Sequence, residues 1–202
     1  AIVKFWVEPA PRGSGVSYKS LVRTSDVHQK YQNEVERTIT KALKQGIKGW
    51  EVTDLNITLV EGEDHQMHSR PGNFVLATPM GIMKALNEVG THFLEPIISF
   101  KIIANSSLLG KLTSEIIQMR GQFEAPTINE HKMTLTGTLP LANALDFPIR
   151  LSSLSSGKAK LLSQFHSYAI CSDELATTRP YKGVSPLDRS KYILKMRKAL
   201  SE

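Results

Sequence analysis

The sequence has a single cysteine and no long apolar run. Cys171 is the only cysteine among 202 residues, which excludes an internal disulfide and favours a reducing compartment. No stretch approaches the roughly 18 consecutive apolar residues of a transmembrane helix. The first residues, AIVKFWVEP, lack the apolar length and the small-residue cleavage site of a signal peptide. These absences predict a cytoplasmic chain with no membrane partner.

The motifs of common enzymes are missing as well. There is no GxxxxGK(S/T) phosphate loop, because Ser156-Gly157-Lys158 lacks the upstream glycine and the flanking Ser or Thr. GxSxG and HExxH do not occur either. Cys171 follows His166 closely, but a free cysteine after a strand is more often inert than nucleophilic. We therefore expect no catalytic residue, no cofactor and no metal in this chain.

One polar segment combines two acids with two histidines. Glu63 and Asp64 precede His65 and His68, and the neighbouring glycine and proline residues indicate a loop. Two imidazoles at this spacing could bind a metal, although no third ligand is evident nearby. A plain solvated loop is the second interpretation. The third is that the histidines and amides stack on RNA bases or hydrogen-bond to them. Spacing alone does not choose among these three.

The positive charge is concentrated at the C-terminal end. The whole chain carries a formal net charge of +6. From residue 177 onward seven basic residues stand against two acidic ones, a net charge of +5; the bases are Arg179, Lys182, Arg189, Lys191, Lys195, Arg197 and Lys198. A basic segment attracts polyanions such as nucleic acid by releasing counterions. A solubilising, solvated helix face is an equally good interpretation.

Apolar periodicity predicts strands at 1–8, 16–24 and 52–59 in the first half of the chain, with helices after the second and third strands. For the first of these helices, Ser25 or Asp26 is the expected N-terminal cap and Gly46 the expected left-handed C-terminal cap.

The second helix of this half follows the polar loop. Pro79 lies inside its apolar pattern and predicts a kink or a helix start near that residue. Gly90 is expected to close the helix.

The pattern restarts near Glu95 and Pro96 and then runs strand, helix, strand, strand, helix, strand. The predicted bounds are 97–104, 108–119, 121–128, 132–139, 141–151 and 160–168. This βαββαβ order is the ferredoxin-like arrangement, a four-stranded sheet with two helices on one face. The fold class is therefore α+β, with domains at 1–94 and 95–176 and a basic tail at 177–202.

The tail is predicted to end in a helix at 188–200. Tyr192, Ile193 and Met196 fall on one side of that helix and the basic residues on the other. Because a fully solvated helix would not need an apolar stripe, we expect these three side chains to be buried against the first domain.

Several short motifs resemble elongation factor G in order and spacing. They are Gly49-Trp50-Glu51-Val52-Thr53-Asp54, Leu94-Glu95-Pro96, Met119-Arg120-Gly121-Gln122 and Gly157-Lys158-Ala159. Residues 62–69 resemble the tip loop of domain IV in that family, and His65 falls where elongation factor G carries its tip histidine. The resemblance covers about residues 1–176, which are similar to domains IV and V.

Other features resemble one branch of the family, the tetracycline resistance ribosomal protection proteins. Gly13-Ser14-Gly15, residues 69–74 and the basic tail with Arg179-Pro180 are similar to that branch. The tip differs, because it is polar and acidic where the best-known members have tyrosines and small apolar residues. An elongation factor G paralogue acting in translocation is the alternative. A metal-dependent enzyme using His65 and His68 is a third hypothesis.

The resemblance implies a parent protein whose N-terminal domains bind GTP and magnesium. This chain would then contact small-subunit RNA at the decoding centre through the tip loop and the large subunit through the ferredoxin-like domain, as a monomer. The resemblance also implies a left-handed βαβ crossover in the first domain and docking of the tail helix.

The expected ribosome-contacting residues are His65, Gln66, Met67, His68, Ser69, Lys191, Lys195 and Lys198. Glu63 and Asp64 are expected to repel phosphate, so affinity would come from the basic residues of the tail and of the second domain.

Overall fold

A computed structural model describes residues 1–65 and 67–199. The described chain forms two compact units. Unit 1 comprises Ala1–Thr91 together with the segment from Ala176 onward, and unit 2 is His92–Leu175. Glu95 and Pro96, where the sequence pattern restarts, lie inside the first strand of unit 2.

Unit 1 packs helices on a three-stranded sheet. Its elements are β1 (Ile2–Pro9), β2 (Val16–Ser20), α1 (Gln29–Ala42), β3 (Leu55–Glu63), α2 (Pro71–Val89) and the tail helix α6 (Arg189–Met196). The strand order is β1-β3-β2. β1 is antiparallel to β3 and β2 is parallel to it, so α1 is the crossover of a βαβ unit.

The core of unit 1 follows the apolar spacing of the two helices. Along α1 the buried side chains recur every four residues, at Tyr31, Val35 and Ile39. Tyr31 stacks on Phe74 of α2 with ring centroids 4.8 Å apart. The remaining members of this core are Val27, Leu43, Ile57, Ile82, Met83 and Leu86. The helix and strand periodicities predicted from the sequence are therefore those that form the core.

The helix caps predicted for α1 are wrong. Neither Ser25 nor Asp26 caps the helix with its side chain; residue His28 occupies the N-cap position, and its backbone N–H donates to Asp64. The helix ends at Ala42, and Gly46 lies beyond it, packed closely against Val52. A cap from another segment replaces the local one, which sequence spacing does not reveal.

The second helix was predicted more closely. α2 begins at Pro71 and runs without interruption through Pro79, so a helix start at Pro79 is wrong. Gly90 ends the helix at φ +84°, in the left-handed region that glycine adopts most easily, as expected.

Unit 2 is a ferredoxin-like sheet. Its elements are β4 (Phe93–Asn105), a 3₁₀ turn (Ser106–Leu108), α3 (Leu109–Gln118), β5 (Gln122–Phe123), β6 (Thr127–Asn129), β7 (Lys132–Pro140), α4 (Leu141–Ala144), α5 (Phe147–Leu154) and β8 (Lys160–Cys171). The sheet order is β5-β7-β4-β8, with β6 also on β7, and every pairing is antiparallel. The predicted βαββαβ order is confirmed.

Two predicted elements of unit 2 are interrupted. The strand expected at 121–128 is split into β5 and β6, and Pro126 between them has no N–H to donate to a ladder. The helix expected at 141–151 is two helices, the second of which has Pro148 in its first turn, where a missing N–H costs nothing. The core lies between the sheet and the helices α3, α4 and α5. It is formed by Phe100, Ile102, Ala104, Leu112, Ile116, Met119, Met133, Leu135, Leu139, Ala144, Phe147 and Leu151.

Candidate functional site

The tip loop, residues 63–70, connects β3 to α2 and closes on itself. The backbone amides of His68 and Ser69 both donate to the carbonyl of His65, at 3.1 and 2.8 Å. The amide of His65 in turn donates to the Ser69 hydroxyl at 2.8 Å. Met67 lies in the arc between them with 83% of its surface exposed. The loop is therefore a closed turn that presents a short arc of side chains to solvent.

His65 and His68 form a ring pair on this arc. Their ring centroids are 4.7 Å apart and the planes differ by 31°. The Met67 amide donates to Nδ1 of His65 at 3.3 Å. A neutral imidazole that accepts at Nδ1 carries its proton on Nε2, so His65 keeps an N–H donor on the far side of its ring. The arc thus offers ring faces, a donor and the adaptable apolar side chain of Met67.

Ser69 is placed differently from the two histidines. It is 8% exposed, its hydroxyl accepts from His65, and its carbonyl accepts from the Tyr31 hydroxyl at 2.8 Å. Its role here is to hold the loop rather than to face solvent. Gln66, also expected at this surface, lies outside the described residues.

Asp64 does not face solvent, which corrects the expectation that it repels phosphate. Its side chain is 5% exposed and accepts from both the backbone N–H and Nδ1 of His28, at 2.8 and 2.7 Å. Burial alone would raise the pKa of Asp64, but the hydrogen bonds and charge of His28 and the nearby Lys30 outweigh it and lower the pKa. Glu63, by contrast, is exposed.

The segment between β2 and α1, residues 21–28, lies beside the tip loop. The Asp64 amide donates to the Asp26 carbonyl at 3.0 Å, which joins the two segments. This second segment exposes Leu21, 67% accessible, together with Arg23. Lys30 and Arg70, at the starts of the two helices, are exposed as well. Sequence reasoning missed Arg23 and Lys30 because only the fold brings their segment beside the tip loop.

The geometry of the tip gives no support to a metal site. Within residues 1–65 and 67–199, no cluster of three or more His, Cys, Asp or Glu side chains could hold a metal ion. Among these residues, the ring pair of His65 and His68 has no third ligand of these types beside it.

The tail helix contacts α2, but less deeply than its apolar stripe predicts. Tyr192 and Ile193 are half-buried, and burial raises the pKa of the Tyr192 hydroxyl. Met196 is 45% exposed, so the expectation of its burial is wrong. No residue of α6 is fully buried. The helix is Arg189–Met196, shorter than the predicted 188–200.

The stronger attachment of the tail lies before the helix, at Trp50. The Arg179 guanidinium lies 3.3 Å from the Trp50 ring centre, and the indole N–H donates to the Thr177 carbonyl at 2.8 Å. The Arg179 amide donates to the Lys48 carbonyl at 3.0 Å. We call this attachment, between residues 45–50 and 177–182, the tail clasp. No local pattern marks it.

Gln45 completes the clasp. Its side-chain amide donates to the Lys182 carbonyl at 3.2 Å and accepts from the Lys182 backbone N–H at 2.9 Å. Both bonds involve the backbone of Lys182, so the charge of its side chain takes no part in them.

The predicted basic residues of the tail differ in their surroundings. Lys191 is exposed and pairs with Asp188 at 3.3 Å. Lys195 is half-buried, whereas Lys198, just beyond α6, is exposed. The charge of Lys191 is thus partly compensated, and that of Lys198 faces solvent.

In unit 2, two motifs of the sequence meet. Arg120 donates two hydrogen bonds to the carboxylate of Glu95, at 2.9 and 2.7 Å, and a third to Asn143 at 2.9 Å. Cys171 is buried and its thiol donates to the Ser172 carbonyl, whereas His166 is exposed. The Arg120 contacts connect the end of α3 with β4 and α4.

Comparison with known proteins identifies both units. Residues 1–90 match the family described as elongation factor G, domain IV, and residues 92–179 match that described as elongation factor G C-terminus. The chain belongs to the elongation factor G family, of which it comprises the domain IV and C-terminal regions. Over the described residues, no helix has the length and apolarity needed to cross a bilayer.

Similar proteins include members of the resistance branch. Tetracycline resistance protein TetP of Clostridium perfringens is 32% identical over 194 residues, which cover 96% of this chain and 30% of that protein. TetM from transposon Tn1545 of Enterococcus faecalis is 28% identical over 187 residues, which cover 93% of this chain and 29% of TetM. The chain therefore spans less than a third of the length of these relatives.

The fold is shared with a solved structure. A crystal structure of a protein from Thermus thermophilus matches 97% of this chain and 27% of its own, with a TM-score of 0.78 and 22% identity. The α+β class is confirmed by this match and by the two sheets described above.

Proposed function

We propose that this chain is the ribosome-contacting region of a tetracycline resistance ribosomal protection protein and that its tip loop contacts small-subunit RNA at the decoding centre. The names of its relatives TetP and TetM support the resistance branch. The observation that carries the contact is the closed arc on which His65, Met67 and His68 are exposed side by side.

The chemistry of this arc suits irregular RNA. Imidazole rings can stack on unpaired bases, and the Nε2–H of His65 can donate to a base edge. Met67 supplies an apolar surface that adapts to a base or sugar. Arg23, Lys30 and Arg70, exposed around the tip, would add attraction to phosphates. No bond is made or broken by these groups, so their action is steric and mechanical.

The remaining functions belong to the parent protein in this proposal. Its GTPase domains would use GTP and magnesium, and unit 2 would contact the large ribosomal subunit. The chain itself would act as a monomer in the cytoplasm.

The test replaces His65, Met67 and His68 by alanine in the full-length protein. Ribosome binding should change little, because phosphate contacts elsewhere supply most of the affinity, while resistance to tetracycline should be lost. The matched control replaces three exposed residues near the end of α2, Lys84, Asn87 and Glu88, by alanine. These residues lie about 20 Å along the helix from the tip, at 1.5 Å per residue. Full resistance in the tip variant would contradict the site.

The same strains separate the two branches of the family. The alternative, an elongation factor G paralogue, rests on Arg120-Gly121-Gln122, which resembles the elongation factor. A protection protein should raise tetracycline tolerance without supporting peptide synthesis on ribosomes deprived of elongation factor G. A paralogue acting in translocation should do the reverse, and that result would overturn the resistance assignment.

A further inference from the structure

We propose that Asp64 and His28 are positioning residues that hold the tip loop in the geometry in which it contacts RNA. The inference rests on the function proposed above. In this inference the buried Asp64 orients the loop, and His65, Met67 and His68 remain the residues that contact RNA.

The first argument is that Asp64 joins the beginning of the tip loop to the segment 21–28 through several bonds at one point. It directly follows the end of β3 and turns its carboxylate inward. That carboxylate accepts two hydrogen bonds from His28, and the Asp64 amide donates to Asp26. Hydrogen bonds to an ionised acceptor are shorter and stronger than neutral ones. The beginning of the tip loop is therefore fixed to the beginning of α1.

The second argument is that the other end of the loop is fixed to the same turn of α1. The Tyr31 hydroxyl donates to the carbonyl of Ser69, and the Tyr31 ring is held by its stack on Phe74. His28 and Tyr31 are three residues apart at the start of the helix. Because both ends are anchored there, His65, Met67 and His68 project between them.

The third argument concerns charge. An exposed carboxylate beside an RNA-contacting arc would repel phosphate, and Asp64 avoids this because it is 5% exposed and bonded to His28. The ionised form is favoured by these bonds, so the carboxylate remains an acceptor at neutral pH. Its neighbour Glu63 carries the same charge and is exposed. The two acids therefore allow a matched comparison.

The experiment compares Asp64→Asn with Glu63→Gln, which remove the same charge from adjacent positions. If Asp64 acts only through its charge, both variants should strengthen ribosome binding equally. If it positions the loop, Asp64→Asn should speed hydrogen exchange of the His68 and Ser69 amides by about tenfold, the scale of one missing charged hydrogen bond, while Glu63→Gln leaves exchange unchanged. Exchange measured on this chain alone needs no ribosome.

A graded variant guards against misfolding. His28→Ala removes the Nδ1 bond but keeps the backbone N–H donor, so its effect on exchange should fall between those of the two acid variants. Since His28 is 52% exposed on its side chain, its removal should leave the fold intact. The positioning role would be overturned if the His68 and Ser69 amides exchanged as slowly in His28→Ala and in Asp64→Asn as in the unchanged protein.

Activity of the full-length protein separates this inference from the proposed function. We expect Asp64→Asn to lose resistance while retaining ribosome affinity, the same result as is expected for the alanine variant of His65, Met67 and His68. If the alanine variant lost resistance while Asp64→Asn kept full resistance, the inference would be overturned and the proposed function would stand. Full resistance in the alanine variant would overturn the proposed function and with it the inference.

Discussion

Arg120 holds Glu95 through two parallel hydrogen bonds of 2.9 and 2.7 Å, and so connects the end of α3 to β4. Each residue belongs to a motif recognised in the sequence, Leu94-Glu95-Pro96 and Met119-Arg120-Gly121-Gln122. Arg120 adopts φ +60°, an unfavourable conformation for a non-glycine residue, and its third bond to Asn143 reaches α4. The two motifs thus supply the two partners of one ion pair that connects elements of unit 2.

Arg120→Ala should destabilise unit 2 by about 1–2 kcal/mol. A charged, bidentate bond is worth more than this when buried, but the Arg120 side chain is 37% exposed and solvent weakens the pair. Arg120→Lys should recover less than half of the loss, because an ammonium cannot bond both oxygens in the same plane. Urea unfolding would measure both, with the exposed Lys111→Ala as a control that should change stability little. If Arg120→Ala were as stable as the control, the Arg120–Glu95 pair would not stabilise unit 2.

The tail clasp predicts that Arg179→Ala loosens the tail without unfolding unit 1. The Arg179 guanidinium covers the Trp50 ring, and such contacts are worth roughly 0.5–1 kcal/mol at exposed sites. We expect faster proteolysis within residues 177–188 and a shift in Trp50 fluorescence, read in a Trp6→Phe background. Lys182→Ala removes the same charge but keeps the backbone bonds to Gln45, so it should do neither. Identical cleavage of both variants would count against the clasp.

A substitution at Gly49 provides a second test of the tail clasp. It adopts φ +77°, and a side-chain carbon added there would overlap the carbonyl of Arg179. Gly49→Ala should therefore cost about 1 kcal/mol or more for backbone strain and displace the tail as well. In a chain shortened at residue 176, only the strain should remain. A double-mutant cycle by thermal unfolding would show this coupling, and strictly additive effects would argue that the tail does not pack on Gly49.

Asp54 predicts an acid-sensitive contribution to the stability of unit 1. Its carboxylate accepts from the amides of Gly13 and Gly15, at 3.1 and 3.0 Å, and from Arg12 at 3.3 Å. Burial alone would raise the pKa of Asp54, but these bonds outweigh it and lower the pKa. A lowered folded pKa stabilises the fold fully above the unfolded value of about 3.9, and this contribution is lost as the pH falls through the folded pKa.

Asp54→Asn should accordingly cost about 1–3 kcal/mol at pH 7, and the difference should shrink toward pH 3. Urea unfolding at pH 7, 5 and 3 would measure it. Glu63→Gln, at an exposed acid, provides the control. The prediction fails if the difference in unfolding free energy between Asp54→Asn and the unchanged protein stays constant over this pH range. The fold would then not favour the charged form of the carboxylate.

The sequence predicted most of what depends on neighbouring residues. The apolar spacing of α1 and the βαββαβ order of unit 2 are encoded by patterns of residues close together in the chain, and both are confirmed. What it missed depends on pairs far apart in the chain. His28 and Asp64 are 36 positions apart, and Trp50 and Thr177 are 127 apart. Ser69 and Asp64 lie in a polar segment whose composition predicts a solvated loop. Only the structure shows that both side chains are buried.

The last prediction concerns where the affinity for RNA resides. The sequence assigned it to basic residues of the second domain and of the tail, Lys191, Lys195 and Lys198 among them. The structure shows a further group of exposed cations at the tip, Arg23, Lys30 and Arg70. Removing one cation that neutralises a phosphate should reduce the slope of log affinity against log salt by about 0.7–0.9. Because Lys191 already pairs with Asp188, Lys191→Glu should reduce the slope less than Lys198→Glu.

Salt titration of ribosome binding by the full-length protein would separate the two groups. Reversing the tip cations to glutamate should reduce both the slope and the activity, since they flank the contacting arc. Reversing Lys198 should reduce the slope while leaving the geometry of the tip, and hence the activity of the bound protein, unchanged. Lys84→Glu, at an exposed position near the end of α2, controls for general charge. If the tip reversals left the slope unaltered while those of the tail abolished it, phosphate contacts would belong to the tail alone, and the tip would contribute stacking and shape without charge.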